Sequence, residues 1–228
     1  MPSAENQRPL SIQNINETDI SGDVHFREQS RAGRPRVYLA GDLVFRPDAE
    51  MIFADLKRLC AEAGLEGVAP LDGQMDLAGL APGYETTLAI ISADRDLMDG
   101  CDAGLFCLDP FRRAADMDPG TAVEIGYMMA QGKPLCGYTA DGRFYPEKVR
   151  DYWRKAWGSE LRPRTETGGS GGLEDTDGII VHSEGMLQNG MTEGFIRLSG
   201  GNVGVGTTLQ EAALPAIRVL ADRLLQAA

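Results

Sequence analysis

Between residues 36 and 138 the chain switches repeatedly between short, unbroken apolar runs and longer stretches with a helical apolar period. Val37-Tyr38-Leu39-Ala40 is an apolar run closed by Gly41, the pattern of a buried strand ending in a tight turn. A helix is predicted from Ala49 to Ala63, where Met51, Ile52, Leu56, Leu59 and Cys60 keep the 3.6-residue spacing and Gly64 ends it. Leu65 to Leu71 reads as a second strand, with Pro70 at its end, and Asp72 to Gly83 as a loop rich in Gly, Pro and Asp. Glu85 to Met98 regains the helical pattern through Leu88, Ile91 and Leu97. Asp94, Asp96 and Asp99 crowd its last two turns, where carboxylates oppose the helix dipole, and such a local conflict points to a purpose.

Cys101 to Leu108 is a third strand, and an irregular loop from Asp109 to Met117 follows it. Asp118 is then a good N-cap and Pro119 suits the first helical position, opening a helix that runs to about Gln131. Gly132-Lys133-Pro134 stops it before a fourth strand, Leu135 to Tyr138. Residues 141–164 carry Trp153 and Trp157 among basic residues and read as a short amphipathic helix or a lid. The tract 165–172 is Gly-rich and flexible by composition. Ile179-Ile180-Val181, a second Gly-rich stretch from Gly200 to Gly206 and a final helix from about Thr208 to Gln226 complete the chain.

Strands alternating with helices predict an α/β domain over residues 36–228, with a parallel sheet of flavodoxin or Rossmann-like type and helices on both faces. Residues 1–35 form an N-terminal extension, either a hairpin or an arm. In such sheets ligands bind beyond the carboxyl ends of the strands. Here those positions are Gly41 to Phe45, Asp72 to Gly83, Asp109 to Glu124 and the loop after Tyr138. Glu124 thus falls in the expected cleft, on a helix whose Gly120 and Thr121 are small enough to leave room above it.

Composition narrows the chemistry. With 34 acidic and 22 basic residues the net charge is −12, which argues against a nucleic-acid surface. Two histidines, His25 and His182, make a His-based metal site or a Ser-His-Asp triad improbable; no metal and no cofactor are expected. Four cysteines without CxxC spacing read as buried free thiols in a reducing compartment. No apolar run approaches the ~20 residues of a membrane span and no signal-peptide pattern opens the chain, so no membrane partner and a cytoplasmic location are expected.

The run Val37 to Gly41 with Phe45, the acidic helix end Asp94-Arg95-Asp96, and the block Asp118, Gly120, Thr121, Glu124, Gly126 and Tyr127 together resemble the nucleoside 2-deoxyribosyltransferase family. The resemblance covers residues 36–138 in register and returns at Asn189-Gly190-Met191. It implies that Glu124 is the nucleophile at the anomeric carbon of a deoxyribosyl group. It makes Asp96 and Asp118 the acidic partners that contact the base and assist proton transfer, and Tyr38 the hydrogen-bond donor to the nucleophile. Gly41, Phe45 and Gly120 fall in the substrate pocket, with Phe45 where a base-stacking aromatic is expected. Asn189, with Met191 beside it, is implied to be lent by a neighbouring subunit, so the enzyme would be a homo-oligomer with shared sites. Its partners are then a deoxynucleoside and a free nucleobase. Residue types agree: a retaining double displacement needs one carboxylate to carry the sugar and another to protonate the departing base.

Alternatives stay open at this stage. Either Asp94 or Asp96 can face the cleft, the family register favouring Asp96, and Asp118 is divided between capping its helix and handling the base. The chain departs from the family in its extension, its Gly-rich insertion and Asp42, where a proline is common. A related N-glycoside hydrolase acting on nucleosides or their 5′-monophosphates is the competing activity. Asp42 in the first loop argues against it, because an acid there repels phosphate. A non-catalytic nucleotide-binding module is the third reading.

Overall fold

The computed structural model describes residues 33–73, 79–164 and 172–226. The expected N-terminal hairpin or arm lies outside the described residues up to position 32, as does the Gly-rich tract up to residue 171.

Five strands, β1 (Arg36–Ala40), β2 (Glu66–Val68), β3 (Ala103–Cys107), β4 (Leu135–Thr139) and β8 (Val203–Val205), form a parallel sheet in the order β2-β1-β3-β4-β8. The chain reverses its direction of travel across the sheet between β1 and β3. The crevice beyond their carboxyl ends is the topological switch point.

Every residue of β3 and β4 is buried, as expected of strands covered on both faces. Side chains alternate in facing. Val37, Leu39, Leu105 and Tyr138 join one core with Ile52, Phe53, Leu56 and Leu59 of α1 (Ala49–Glu62) and Ala216, Ile217 and Leu220 of α6 (Leu209–Gln226). Tyr38, Ala40 and Phe106 point the other way, into a core with Met98 of α2 (Tyr84–Asp99), Ile125 and Met128 of α3 (Pro119–Ala130) and Ile196 of α5 (Gly190–Leu198). That parity is what directs Tyr38 toward α3.

Several sequence expectations change. Residues 66–68 alone form the second strand, and Pro70–Gly73 curls into a 3-10 turn. Met51, placed on the apolar stripe of α1, is exposed, as are Leu88 and Ile91 of α2. The fifth strand hides in the Gly-rich stretch before α6: a Cβ on Gly204 would stand 2.1 Å from the Ala212 carbonyl oxygen, so β8 and α6 approach closely only because this residue is glycine. Residues 145–157 are an amphipathic helix, α4 (Tyr145–Trp157), with Trp153 and Trp157 paired at 6.2 Å between ring centroids. A small antiparallel sheet of β5 (Arg162–Pro163), β6 (Leu173–Glu174) and β7 (Ile180–Val181) follows; two-residue strands leave no period to read. All four cysteines are free and buried. Among the described residues no helix is long and apolar enough to cross a membrane.

Candidate active site

At the β1–β3 crevice the chain opens a cleft of about 530 Å³, within the size range of small-molecule sites. Its floor begins at Gly41, whose φ of +149° is costly for a residue with a side chain, and whose Cβ would lie 2.5 Å from that of Cys107. The turn therefore runs flush against β3. It carries Val44 and Phe45 to one wall, where the Phe45 ring meets Phe111 at 5.7 Å between centroids.

Glu124 enters from α3. Asp118 caps that helix: its Oδ2 accepts the Thr121 N–H at 2.9 Å and the Thr121 hydroxyl at 3.1 Å. Gly120 keeps that cap open, since a Cβ there would press on the same Oδ2 at 2.9 Å. Asp118 is buried and lines the cleft as well, so cap and cleft wall are the same side chain. Glu124 sits in the second helical turn and is aimed back at the sheet. There the fully buried Tyr38 donates its hydroxyl to Glu124 Oε1 at 2.7 Å, joining β1 to α3.

Burial pushes the Glu124 carboxyl up to about 7; the Tyr38 hydrogen bond pulls it down, while the nearby Asp94 and Asp118 carboxylates add to the rise. Burial and the Glu124 charge drive the Tyr38 phenol far above its ordinary range, so it remains a donor. A carboxyl shifted toward neutrality in a cleft, with its partner held in the protonated form, marks a candidate functional site.

The acidic end of α2 differs from the expected register. Asp94 lines the cleft, together with Ile90, Ile91 and Met98. Asp96 does not: it is exposed and paired with Arg95 at 2.9 Å. Two helical residues two apart point about 200° away from one another, so a face carrying positions 90, 91, 94 and 98 cannot also carry 96. The exposure of Ile91 belongs to the same geometry, because this helix turns part of its apolar side to the cleft rather than to the core, whereas Leu88 is exposed without lining the cleft.

Asn189 and Met191 stand outside this chain's own cleft. Asn189 caps α5 by accepting the Met191 N–H at 3.0 Å, and the Met191 side chain is exposed. Asp42 also has an occupation of its own. It pairs with Arg46 at 3.1 Å and does not line the cleft, so the argument that its charge repels phosphate there loses its force. Among the described residues no cluster of three or more His, Cys, Asp or Glu could hold a metal ion.

Comparison with known proteins places the chain in a family. An uncharacterized protein of Schizosaccharomyces pombe is 65% identical over 190 residues, covering 83% of this chain and 90% of that protein. Among solved structures, a 2-deoxyribosyltransferase from Leishmania mexicana superposes with a TM-score of 0.52 at 24% identity, over 82% of this chain and 97% of its own, which shows the shared fold. A 2-deoxyribosyltransferase from Bacillus psychrosaccharolyticus overlaps more loosely, with a TM-score of 0.41 and 18% identity over 51% of this chain and 81% of its own. The family model described as nucleoside 2-deoxyribosyltransferase matches residues 37–191, a span that holds Tyr38, Gly41, Asp94, Asp118 and Glu124. With the sheet order, the cleft and that match in agreement, the chain belongs to the nucleoside 2-deoxyribosyltransferase family.

Proposed function

We propose that this protein moves a 2-deoxyribosyl group from one nucleobase to another through a covalent intermediate on Glu124. The observation that carries the reading is the Tyr38–Glu124 hydrogen bond at the base of the cleft. It occupies Oε1 and leaves Oε2 for attack. In the first half-reaction a Glu124 oxygen bonds to the anomeric carbon, the carbon–nitrogen bond to the base breaks, and a carboxyl proton goes to the departing nitrogen. In the second, the nitrogen of an incoming base attacks the same carbon, the ester bond to Glu124 breaks, and the base proton returns to the carboxylate.

Asp94 is the proton donor in this reading, in place of Asp96, because it lines the cleft and Asp96 is turned away. Asp118 presents its remaining oxygen to the substrate while holding the helix start through Oδ2. The walls formed by Val44, Phe45, Leu71, Ile90, Ile91 and Val123 suit a flat base and shield the intermediate from water, which favours transfer over hydrolysis. Asn189 and Met191, outside the chain's own cleft, serve a neighbouring subunit's site in this reading.

The test is chromatography of the purified protein with a deoxynucleoside, with and without a second free base. A new nucleoside that appears only with the second base is the expected result. Free sugar released at the same rate in both would replace transfer with hydrolysis, and no turnover would end both enzymatic readings.

A further inference from the structure

The loop that sets Phe111 against Phe45 also helps α4 to enclose another cavity, of about 220 Å³. Arg113, Arg143, Lys148 and Lys155 line it, with Asp151 and Tyr152. Four cations against one lining carboxylate is an unusual balance in a chain of net charge −12, whose overall field repels anions.

The cations are differently held. Asp151 Oδ2 takes both Arg143 Nη1 at 3.0 Å and Lys155 Nζ at 2.8 Å, while Asp141 fixes the rest of the Arg143 guanidinium. Among the described residues no carboxylate pairs with Arg113. Its backbone is left-handed, at φ +64° directly after Arg112 at φ +50°, a conformation that costs each non-glycine residue on the order of 1 kcal/mol.

Lys148 is the decisive group. Only 2% of it is exposed, and Nζ donates one hydrogen bond, to the Leu187 carbonyl at 2.8 Å. An ammonium has three N–H donors, so two remain on a side chain that lines the cavity. Asp141, Asp109 and Glu193 favour the Lys148 charge from nearby without hydrogen-bonding to Nζ, and spare donors on a buried cation are costly unless an acceptor fills them.

We propose that this cavity is a binding site for a phosphate group, taken by the spare donors of Lys148 together with Arg113 and Lys155, with Arg143 held in place by Asp141 and Asp151. The site is separate from the Glu124 cleft and does not depend on the reaction assigned there. Through Arg113 it touches the loop that carries Phe111.

Calorimetric titration of the full chain at constant ionic strength tests it, with inorganic phosphate in one arm and ribose 5-phosphate in the other. Saturable binding is expected, weakened about tenfold or more in Lys148→Met and in Arg113→Ala, and unchanged in Glu124→Gln. Tighter binding of ribose 5-phosphate assigns a phosphorylated metabolite, and equal binding assigns free phosphate; either supports the site. Arg113 is on an exposed loop, so that variant carries the test even if Lys148→Met does not fold. Absence of saturable binding by both probes, wild-type affinity in Arg113→Ala, or loss of binding in Glu124→Gln overturns the proposal.

Discussion

Replacing Glu124 with Gln should stabilise this protein at alkaline pH while abolishing its activity. Burial raises the Glu124 carboxyl from its ordinary 4.5 to about 7, so the folded chain holds that proton more tightly than the unfolded chain does. Between those two values the folded state binds more protons, and stability falls as the pH rises through the window. Below about pH 4.5 the carboxyl is neutral in both states and costs nothing; above about pH 7 the full penalty is present. At 1.36 kcal/mol per unit the penalty is about 3 kcal/mol. Gln is isosteric, keeps an oxygen for the Tyr38 hydroxyl and carries no charge beside Asp94 and Asp118. Urea unfolding of both proteins at several pH values from 5 to 8 gives the difference directly. The variant should be more stable by about 2–3 kcal/mol at pH 8, with the gap narrowing steadily toward pH 5. A gap that does not change with pH, or a variant less stable than wild type at pH 8, would refute the account of Glu124 as a buried carboxyl raised by its surroundings.

The remaining predictions concern the groups around it. Tyr38→Phe removes the hydrogen bond that lowers the Glu124 pKa, so the rising limb of kcat/KM, expected near pH 7, should move to higher pH by roughly half a unit or more; an unmoved limb separates the phenol from the group that titrates there. Asp94→Asn should slow transfer by about two orders of magnitude, whereas Asp96→Asn stays within about twofold of wild type, and the reverse ranking in steady-state assays would restore Asp96 to the cleft. Gly41→Ala forces a Cβ to within 2.5 Å of Cys107 at a positive φ and should cost about 2 kcal/mol or more in thermal or urea melts, with wild-type stability as the contrary result.

What could be read from sequence was set by period and by cap. The runs that became β1, β3 and β4 are apolar throughout because both faces are covered, and the Asp118-Pro119 start of α3 is a local signal needing no tertiary information. Glu124 followed from these, since a residue in the second turn of a helix after a parallel strand lies at the strand's carboxyl end. The Asp94–Asp96 alternative lay beyond the same reasoning: both are acidic, both fall in the last turns of α2, and the facing depends on how the helix rolls against the sheet. Leu88 and Ile91 misled in the same way, because their apolar pattern faced a cleft and solvent as well as a core. Strand β8 was missed because its glycines answer to α6, a contact that no local pattern records.

The bond from Tyr38 to Glu124 ties residues 86 positions apart, one on the sheet and one on a helix. Its existence depends on the facing of a single strand. Were β1 to pair one residue out of step with β3, Val37 or Leu39 would take the place of Tyr38 and the phenol would turn to the opposite core. Such a slipped chain would keep its secondary structure and much of its burial, yet would leave the carboxyl without its donor. Under the proposed function, turnover would therefore be a register gauge: it would report whether the central strands have zipped in step, a distinction to which a circular dichroism spectrum is blind.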